Sequence, residues 1–243
     1  MDLSHYHPSR RRFIRSLLVA AGFAPAMMAL VRQTGAEGHM PVKPGVQALS
    51  GDVRLNGKPA HMGQEVFPGD VCATGNDGSC TIVIGEHVYL LREDAVVEFY
   101  AEDFEEGVNG SISGKIRLFA GAMLSVFAPT QTQIVTPMAT IGIRGTACYV
   151  DVQRGRTYAC VCYGGAELKS TQTGALLETV QTQHHDSPRY IYEADAARQI
   201  EHAPVVNHSD AELRMLEALV GRVPEFDQPG AKPYDEQYKT IQP

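Results

Sequence analysis

VCATGNDGSCTIVIGEHVYLLREDAVVEFY, residues 71–100, alternates short apolar runs with turns and decides the class of fold. The runs are rich in β-branched and aromatic side chains, as is typical of strands. Asn76-Asp77-Gly78 and Gly85-Glu86 separate the runs with residues that favour tight turns. No part of this stretch repeats apolar residues at helical spacing. The stretch therefore predicts consecutive β-strands joined by short turns.

The same pattern extends on both sides, from Ser50 to Lys169. Asn56-Gly57 is a type I′ hairpin signal, and Pro68-Gly69-Asp70 marks another turn. The acidic, glycine-bearing segment from Glu102 to Gly114 is expected to be an exposed loop. Strands at this spacing predict an all-β fold, and the spacing alone does not choose between a sandwich, a barrel and a solenoid.

The composition excludes several classes of protein. The 243 residues allow one medium domain with appendages, or two small domains. The 44% hydrophobic and 20% charged content indicates an ordinary globular protein, neither disordered nor crossing a membrane several times. The net charge of -7 argues against a nucleic-acid partner, because binding nucleic acid needs a concentrated basic surface.

The N-terminal segment has the form of an export signal. Ser9-Arg10-Arg11-Arg12-Phe13-Ile14-Arg15 precedes an uncharged apolar run from Ser16 to Val31, and the order of these residues resembles a twin-arginine signal. We therefore expect residues 1–36 to be a signal peptide or a retained signal anchor, and the folded protein to be exported to the periplasm. Contact with the inner membrane is expected only if the signal is retained. Ala24-Pro25-Ala26 is one potential cleavage site.

Two groups of short motifs follow each other along the β region. The first group is Gly51-Asp52-Val53, Asn56-Gly57-Lys58-Pro59-Ala60, Pro68-Gly69-Asp70 and Thr74-Gly75-Asn76-Asp77-Gly78. The second group is Leu118-Phe119-Ala120-Gly121-Ala122-Met123, Val135-Thr136-Pro137-Met138-Ala139 and Ile141-Gly142-Ile143-Arg144-Gly145-Thr146. Together they resemble the FecR domain, the periplasmic domain of a ferric-citrate regulator, over residues 45–170.

The resemblance implies a FecR-like β-solenoid or β-sandwich of many short strands, and a sensing, signalling or scaffold role in the bacterial envelope. The namesake regulator spans the inner membrane and passes a signal from an outer-membrane transporter to a cytoplasmic anti-sigma segment. Few residues precede the arginine pair here, and no small α/β module is evident after Lys169. We therefore expect a stand-alone version without direct control of a sigma factor. Gly145 is expected to supply backbone freedom at a tight bend.

The five cysteines suggest two pairings. Cys72 and Cys80 flank the Asn76-Asp77-Gly78 turn, so a hairpin would bring them close enough for a disulfide, which the oxidising periplasm permits. Cys160 and Cys162 alternate on one strand, so their sulfur atoms share a face with Cα atoms about 6.5–7 Å apart. That separation is at or beyond the usual limit for a disulfide, and the two thiols would serve as soft metal ligands only if the strand twists or bulges.

A histidine pair follows the cysteines along the chain. His184 and His185 are predicted to join Cys160 and Cys162 as a Cys2His2 set for one transition-metal ion. Cys148, on the neighbouring strand, would reach the same face only after a one-residue shift in register. The alternative is that the cysteines are buried apolar side chains and the histidines form a solvated turn.

The C-terminal region adds one helix to the β domain. Residues 171–208 are expected to be a β and loop extension. Ser209-Asp210-Ala211-Glu212 is a capping box, and it is followed by apolar residues at helical spacing and by Gly221 as a stop. An amphipathic helix is thus predicted within 209–221, and residues 222–243 are expected to be an irregular tail.

Two functions from different classes follow from these features. The first is a non-enzymatic sensing or scaffold module that binds an envelope protein or a cell-wall component and carries no cofactor. The alternative is a periplasmic protein that binds one transition-metal ion. An enzyme is not expected, because the sequence contains no nucleophile elbow, HExxH, phosphate loop or dinucleotide fingerprint.

Overall fold

The computed structural model describes residues 42–106, 112–129 and 131–231. The predicted leader, residues 1–36, lies outside the described residues. The strands within them are β1 (Gly45–Ser50), β2 (Val53–Leu55), β3 (Lys58–Pro59), β4 (Val71–Thr74), β5 (Ser79–Ile84), β6 (His87–Leu91), β7 (Val96–Glu106), β8 (Ile112–Val126), β9 (Gln131–Val135), β10 (Ala139–Gln153), β11 (Arg156–Ser170), β12 (Leu176–Thr182), β13 (Arg189–Tyr192) and β14 (Ile200–His202).

The predicted all-β fold with one C-terminal helix is confirmed. The longest path through the sheet runs β14-β13-β11-β10-β9-β8-β7-β4-β2-β3, and β1, β5 and β6 join it through β8. Between the described strands, all pairings are antiparallel except that of β8 with β9. The strands β8, β10 and β11 are each 15 residues long, and each pairs with more than one neighbour along its length. These three strands therefore hold the sheet together.

Residues that alternate along the central strands enter two separate apolar clusters. The interior cluster contains Tyr89, Phe99, Met123, Cys148 and Val161 among its buried members. The helix-side cluster is formed by Val83, Val88, Leu90, Ala122, Leu124, Val126, Ala147, Tyr149, Tyr158, Cys160, Cys162, Tyr163, Leu213, Leu216, Leu219 and Val220. Because both faces are covered, every residue of β5 and β6 is buried.

The helix that covers the second cluster is α1 (Asp210–Leu219), which agrees with the sequence prediction. Ser209 and Glu212 form the reciprocal hydrogen bonds of the capping box. Gly221 follows the helix with a φ of 72°, a left-handed conformation that glycine adopts without strain. Leu213, Leu216 and Leu219 are buried against the sheet. A short 3-10 helix (Glu225–Asp227) lies beyond α1.

Turn predictions are confirmed at two positions that need unusual backbone angles. Asn56 and Gly57 have φ angles of 52° and 75°, as a type I′ hairpin requires. Gly145 has a φ of 58° at an irregularity in the β10 pairing, and a Cβ atom there would lie 2.8 Å from the Cα of Pro129. Glycine at position 145 is therefore required by both the backbone angle and the close approach.

The prediction of a loop from Glu102 to Gly114 is wrong for the residues of this range that the structure describes. Strand β7 continues to Glu106 and β8 begins at Ile112, with Glu105 opposite Ser113 in the antiparallel register. Acidic composition predicts exposure to solvent, whereas backbone N–H and C=O groups can continue to pair along a hairpin whatever its side chains. Composition alone therefore misplaced the end of the strand.

The prediction of a hairpin between the strands that carry Cys72 and Cys80 is also wrong. Strand β4 pairs with β2 and β7, whereas β5 pairs with β1 and β6. Both cysteines are buried in the interior cluster and both are free thiols. The two strands thus meet across the interior rather than edge to edge.

No helix among the described residues is long and apolar enough to cross a membrane.

Candidate metal centre

Strand β11 presents two thiols beneath helix α1. Cys160 and Cys162 are two residues apart, so both point to the helix-side cluster, and neither is exposed to solvent. Val161 between them points into the interior cluster. Cys148 pairs directly with Val161 across β10 and β11, which puts its side chain in the interior cluster as well. Cys148 therefore does not join the other two thiols.

A gap in the pairing along one edge of β11 positions the first imidazole. Strand β12 pairs with the part of β11 from Gly164 to Lys169, and β13 pairs with the part from Arg156 to Ala159. The connection between them, residues 183–188, passes the intervening residues of β11. Its His185 donates a backbone N–H to the Cys162 carbonyl at 2.8 Å, with a left-handed φ of 54°. The His185 Nδ1 atom then lies 3.6 Å from the Cys160 sulfur.

The second imidazole comes from the residue just before the cap of helix α1. His208 lies with its ring stacked on Tyr149, at a centroid distance of 4.7 Å and an interplanar angle of 13°. Its Nε2 atom is 3.0 Å from Nδ1 of His185. One ligand atom from each of Cys160, Cys162, His185 and His208 lies within 4.8 Å of all the others. We call these four residues the Cys2His2 cluster.

The hydrogen-bond partners of the two rings fix which nitrogen atoms can bind a metal. The Nδ1 atom of His208 lies 2.7 Å from the Val206 carbonyl, which can only accept, so this nitrogen carries a proton. The Nε2 atom of His185 lies 3.1 Å from the Asp210 carboxylate and carries a proton for the same reason. The other nitrogen of each ring, Nε2 of His208 and Nδ1 of His185, therefore faces the cluster and is the one that can bind a metal. Such outer hydrogen bonds commonly orient metal-binding histidines.

Two separations within the cluster are close to those of tetrahedral coordination. With Zn–S of about 2.3 Å and Zn–N of about 2.05 Å, the S–N and N–N edges of a tetrahedron are roughly 3.6 Å and 3.3 Å. The observed separations are 3.6 Å between Cys160 sulfur and His185 Nδ1, and 3.0 Å between the two imidazole nitrogens. These two separations are therefore compatible with one ion bound between the ligands.

The cluster also perturbs the acidity of its own members. Burial opposes ionisation of Cys160, but hydrogen bonding from Cys162 and the nearby His208 and His185 outweigh it and lower the Cys160 pKa well below its usual value. Burial and the adjacent Cys160 raise the Cys162 pKa. Burial likewise opposes protonation of His185, yet hydrogen bonds to Asp210 and Cys160 raise its pKa to about 9. Without metal, a thiolate and an imidazolium thus stabilise each other.

His184, the fourth ligand predicted from the sequence, lies on the outer side of this arrangement. Its Nε2 atom is 2.8 Å from the same Asp210 oxygen that His185 contacts, and its ring stacks on Phe226. Burial opposes ionisation of the Asp210 carboxyl, but hydrogen bonds from His184 and His185 lower its pKa well below the usual range. His184 therefore belongs to a second group, with His185 and Asp210, that supports the cluster from outside.

Three of the four predicted metal ligands are thus brought together, and His208 occupies the position expected for His184. The sequence offered one signal for His208, a histidine directly before a capping box. That signal does not identify a metal ligand until the position of the helix on the sheet is known.

Comparison with known proteins gives little further information. No family profile matches the chain, and no curated protein matches it. Two crystal structures of a candidate anti-sigma factor from Parabacteroides distasonis ATCC 8503, at 2.50 Å and 1.65 Å resolution, are similar to it with a TM-score of 0.44 and 9% identity. The match covers 54% of this chain and 59% of that one. A likeness of this size carries no argument about function.

Proposed function

We propose that this chain is a non-enzymatic sensing protein that binds one transition-metal ion through Cys160, Cys162, His185 and His208. One observation carries the proposal. Two imidazole nitrogens face each other at 3.0 Å, and the other nitrogen of each ring is already committed as a donor. Two lone pairs at that distance need a cation between them, which is a proton in the empty site and a metal ion in the filled one.

The donor set suggests the class of ion. Two thiolates and two imidazoles are a known set for structural Zn2+, and such ligands also suit copper and iron. Both cysteines are fully buried, His185 is only 6% exposed and His208 is half-buried, so most of the centre is shielded from solvent. A shielded centre with four protein ligands favours a structural or sensing role over hydrolysis, which needs an open coordination position.

Further support comes from the rest of the chain. The FecR-like motifs favour a signalling or scaffold role, and the paired arginines of the leader favour export of the folded protein to the periplasm. Export of folded protein would allow metal to be loaded in the cytoplasm. The proposed partner is an envelope protein or a cell-wall component that recognises the β surface.

The test of metal binding uses the full chain purified by its native export route. We expect one equivalent of Zn2+ to remain bound after dialysis, by elemental analysis. Substitution with Co2+ should give thiolate-to-cobalt charge-transfer absorption and the intense visible bands of tetrahedral cobalt. A folded protein that takes up neither ion would overturn the proposal, and would leave a metal-free binding module as the remaining function.

The test of location uses the arginine pair. Replacing Arg10 and Arg11 by lysine should retain the protein in the cytoplasm, measured by cell fractionation. Arg12→Lys, at the variable position of the same signal, is the matched control and should be exported normally. Export of the double variant would count against the twin-arginine route. Cross-linking of the exported protein in intact cells should then capture one reproducible envelope partner.

A further inference from the structure

The Cys2His2 cluster joins two parts of the chain that are otherwise separate. Cys160 and Cys162 lie on β11, and His185 lies on the connection from β12 to β13 that is bonded to β11. His208 is the only member that lies on the segment leading into helix α1. An ion bound to all four residues would therefore tie the start of the helix to the sheet.

A second link between the cluster and the helix runs through Asp210. Asp210 is the first residue of α1, and its Oδ1 atom accepts hydrogen bonds from His185 and His184 at 3.1 Å and 2.8 Å. With a metal ion on Nδ1 of His185, Nε2 would remain the donor to Asp210, so this bond would connect the ion to the helix as well. Both links act on the first turn of the helix.

The opposite end of the helix is held by contacts that involve no member of the cluster. Glu217 is buried and accepts hydrogen bonds from the Tyr163 hydroxyl and from Arg222. The Leu219 carbonyl accepts a backbone hydrogen bond of 3.0 Å from Val42. Helix α1 thus has the Cys2His2 cluster at its start and contacts independent of that cluster at its end.

We infer that the metal ion acts as a latch that controls the docking of the first half of helix α1 on the sheet. The inference rests on the proposed metal site and adds its regulatory output. In the metal-free protein the start of the helix is held by the Arg92–Glu212 ion pair and the buried Leu213, and it opens more often than it does with the ion bound, while Glu217 and Leu219 keep its end docked. Metal binding holds the first turn of α1 on the sheet. The presence or absence of the ion therefore changes how well this helix is ordered. Such a change is a signal that a partner protein can recognise.

Hydrogen exchange of the full chain with and without Zn2+ tests the latch. If only the closed form binds the ion, a free Zn2+ concentration about 100 times the Kd suppresses opening about a hundredfold. We expect this slowing for amides from Glu212 to Leu216, and a smaller one near Leu219. Amides of β2 and β4, which lie outside the centre, serve as the internal reference.

A variant separates metal binding from the latch. His208→Ala combined with Asp210→Ala leaves Cys160, Cys162 and His185 to hold Zn2+ more weakly, and at saturating Zn2+ we expect no slowing in the helix. Slowing that persists in this variant would overturn the role given to His208 and Asp210. If wild-type protein binds one Zn2+ but exchange in α1 does not change, the latch fails and the metal site stands. If no Zn2+ binds, both proposals fail.

Discussion

Two pairs of buried cysteines in this protein have different surroundings. Cys72 and Cys80 meet within the interior cluster, where the hydrogen bond from Cys80 lowers the pKa of Cys72 and raises that of its partner. Cys160 and Cys162 meet beneath helix α1, where imidazoles lower the pKa of Cys160 despite its complete burial. The coordinating groups found among the described residues include the second pair and not the first.

The comparison shows that two neighbouring thiols do not by themselves form a group of potential metal ligands. The second pair acquires histidines because the connection between β12 and β13 and the segment before α1 both cross the same face of β11. The first pair points into a region filled by apolar side chains of several strands. We therefore expect the second pair to bind metal and the first pair not to bind it. The predictions below test that difference.

The largest difference is expected in metal affinity. Replacing both Cys160 and Cys162 by alanine removes half of the ligands and should weaken Zn2+ binding by at least about 1,000-fold. The matched variant, Cys72→Ala with Cys80→Ala, should bind Zn2+ within about twofold of wild type. Competition with a chromogenic chelator measures both. Equal losses in the two variants would show that the ion is not held where we propose.

The proton dependence of binding should be nearly as large. Burial raises the pKa of the Cys162 thiol, and hydrogen bonds to Asp210 and Cys160 outweigh burial and raise the pKa of His185 to about 9. Both must therefore release a proton when the metal binds below pH 9. Zn2+ affinity should therefore rise about a hundredfold per pH unit between pH 6 and 8.

Calorimetry in buffers of different ionisation enthalpy should accordingly count about two protons released per ion. The variant without Cys72 and Cys80 should release the same number. A proton count near zero would contradict the ligand set.

The two histidine positions provide a smaller and more selective contrast. His208→Ala removes a ligand and should weaken Zn2+ binding by about 100-fold, whereas His184→Ala removes an outer hydrogen bond to Asp210 and should weaken it by about tenfold or less. The same chelator competition measures both variants. Larger losses at His184 than at His208 would favour the ligand set predicted from the sequence over the one in the structure.

The smallest effects are expected in stability. Cys80→Ala leaves a small cavity in the interior and should lower the free energy of unfolding by about 1 kcal/mol, equally with and without Zn2+. Cys160→Ala should cost a similar amount without metal but also lose the stabilisation by bound Zn2+, which is about 2.7 kcal/mol at 100 times the Kd. Urea unfolding with and without Zn2+ measures the difference. If the loss of unfolding free energy in Cys80→Ala also depended on Zn2+, the proposed difference between the two cysteine pairs would be wrong.

Local signals in the sequence predicted the parts of the fold that depend on neighbouring residues. The Asn56-Gly57 hairpin and the capping box at Ser209 are confirmed because each is decided by backbone angles and hydrogen bonds within a few residues. Predictions over longer distances were less successful. The hairpin across Asn76-Asp77-Gly78 is absent, because β4 and β5 each pair with other strands.

By itself, the sequence determined that the chain is built of β-strands joined by turns, that one capped helix follows them, and that Cys160 and Cys162 share a face. Alternation and capping are properties of a single strand or helix, so they can be read from consecutive residues. Only the tertiary structure decided that His208, rather than His184, completes the set with His185. That choice depends on where a helix lands on a distant part of the sheet, and the packing of Leu213, Leu216 and Leu219 fixes that position.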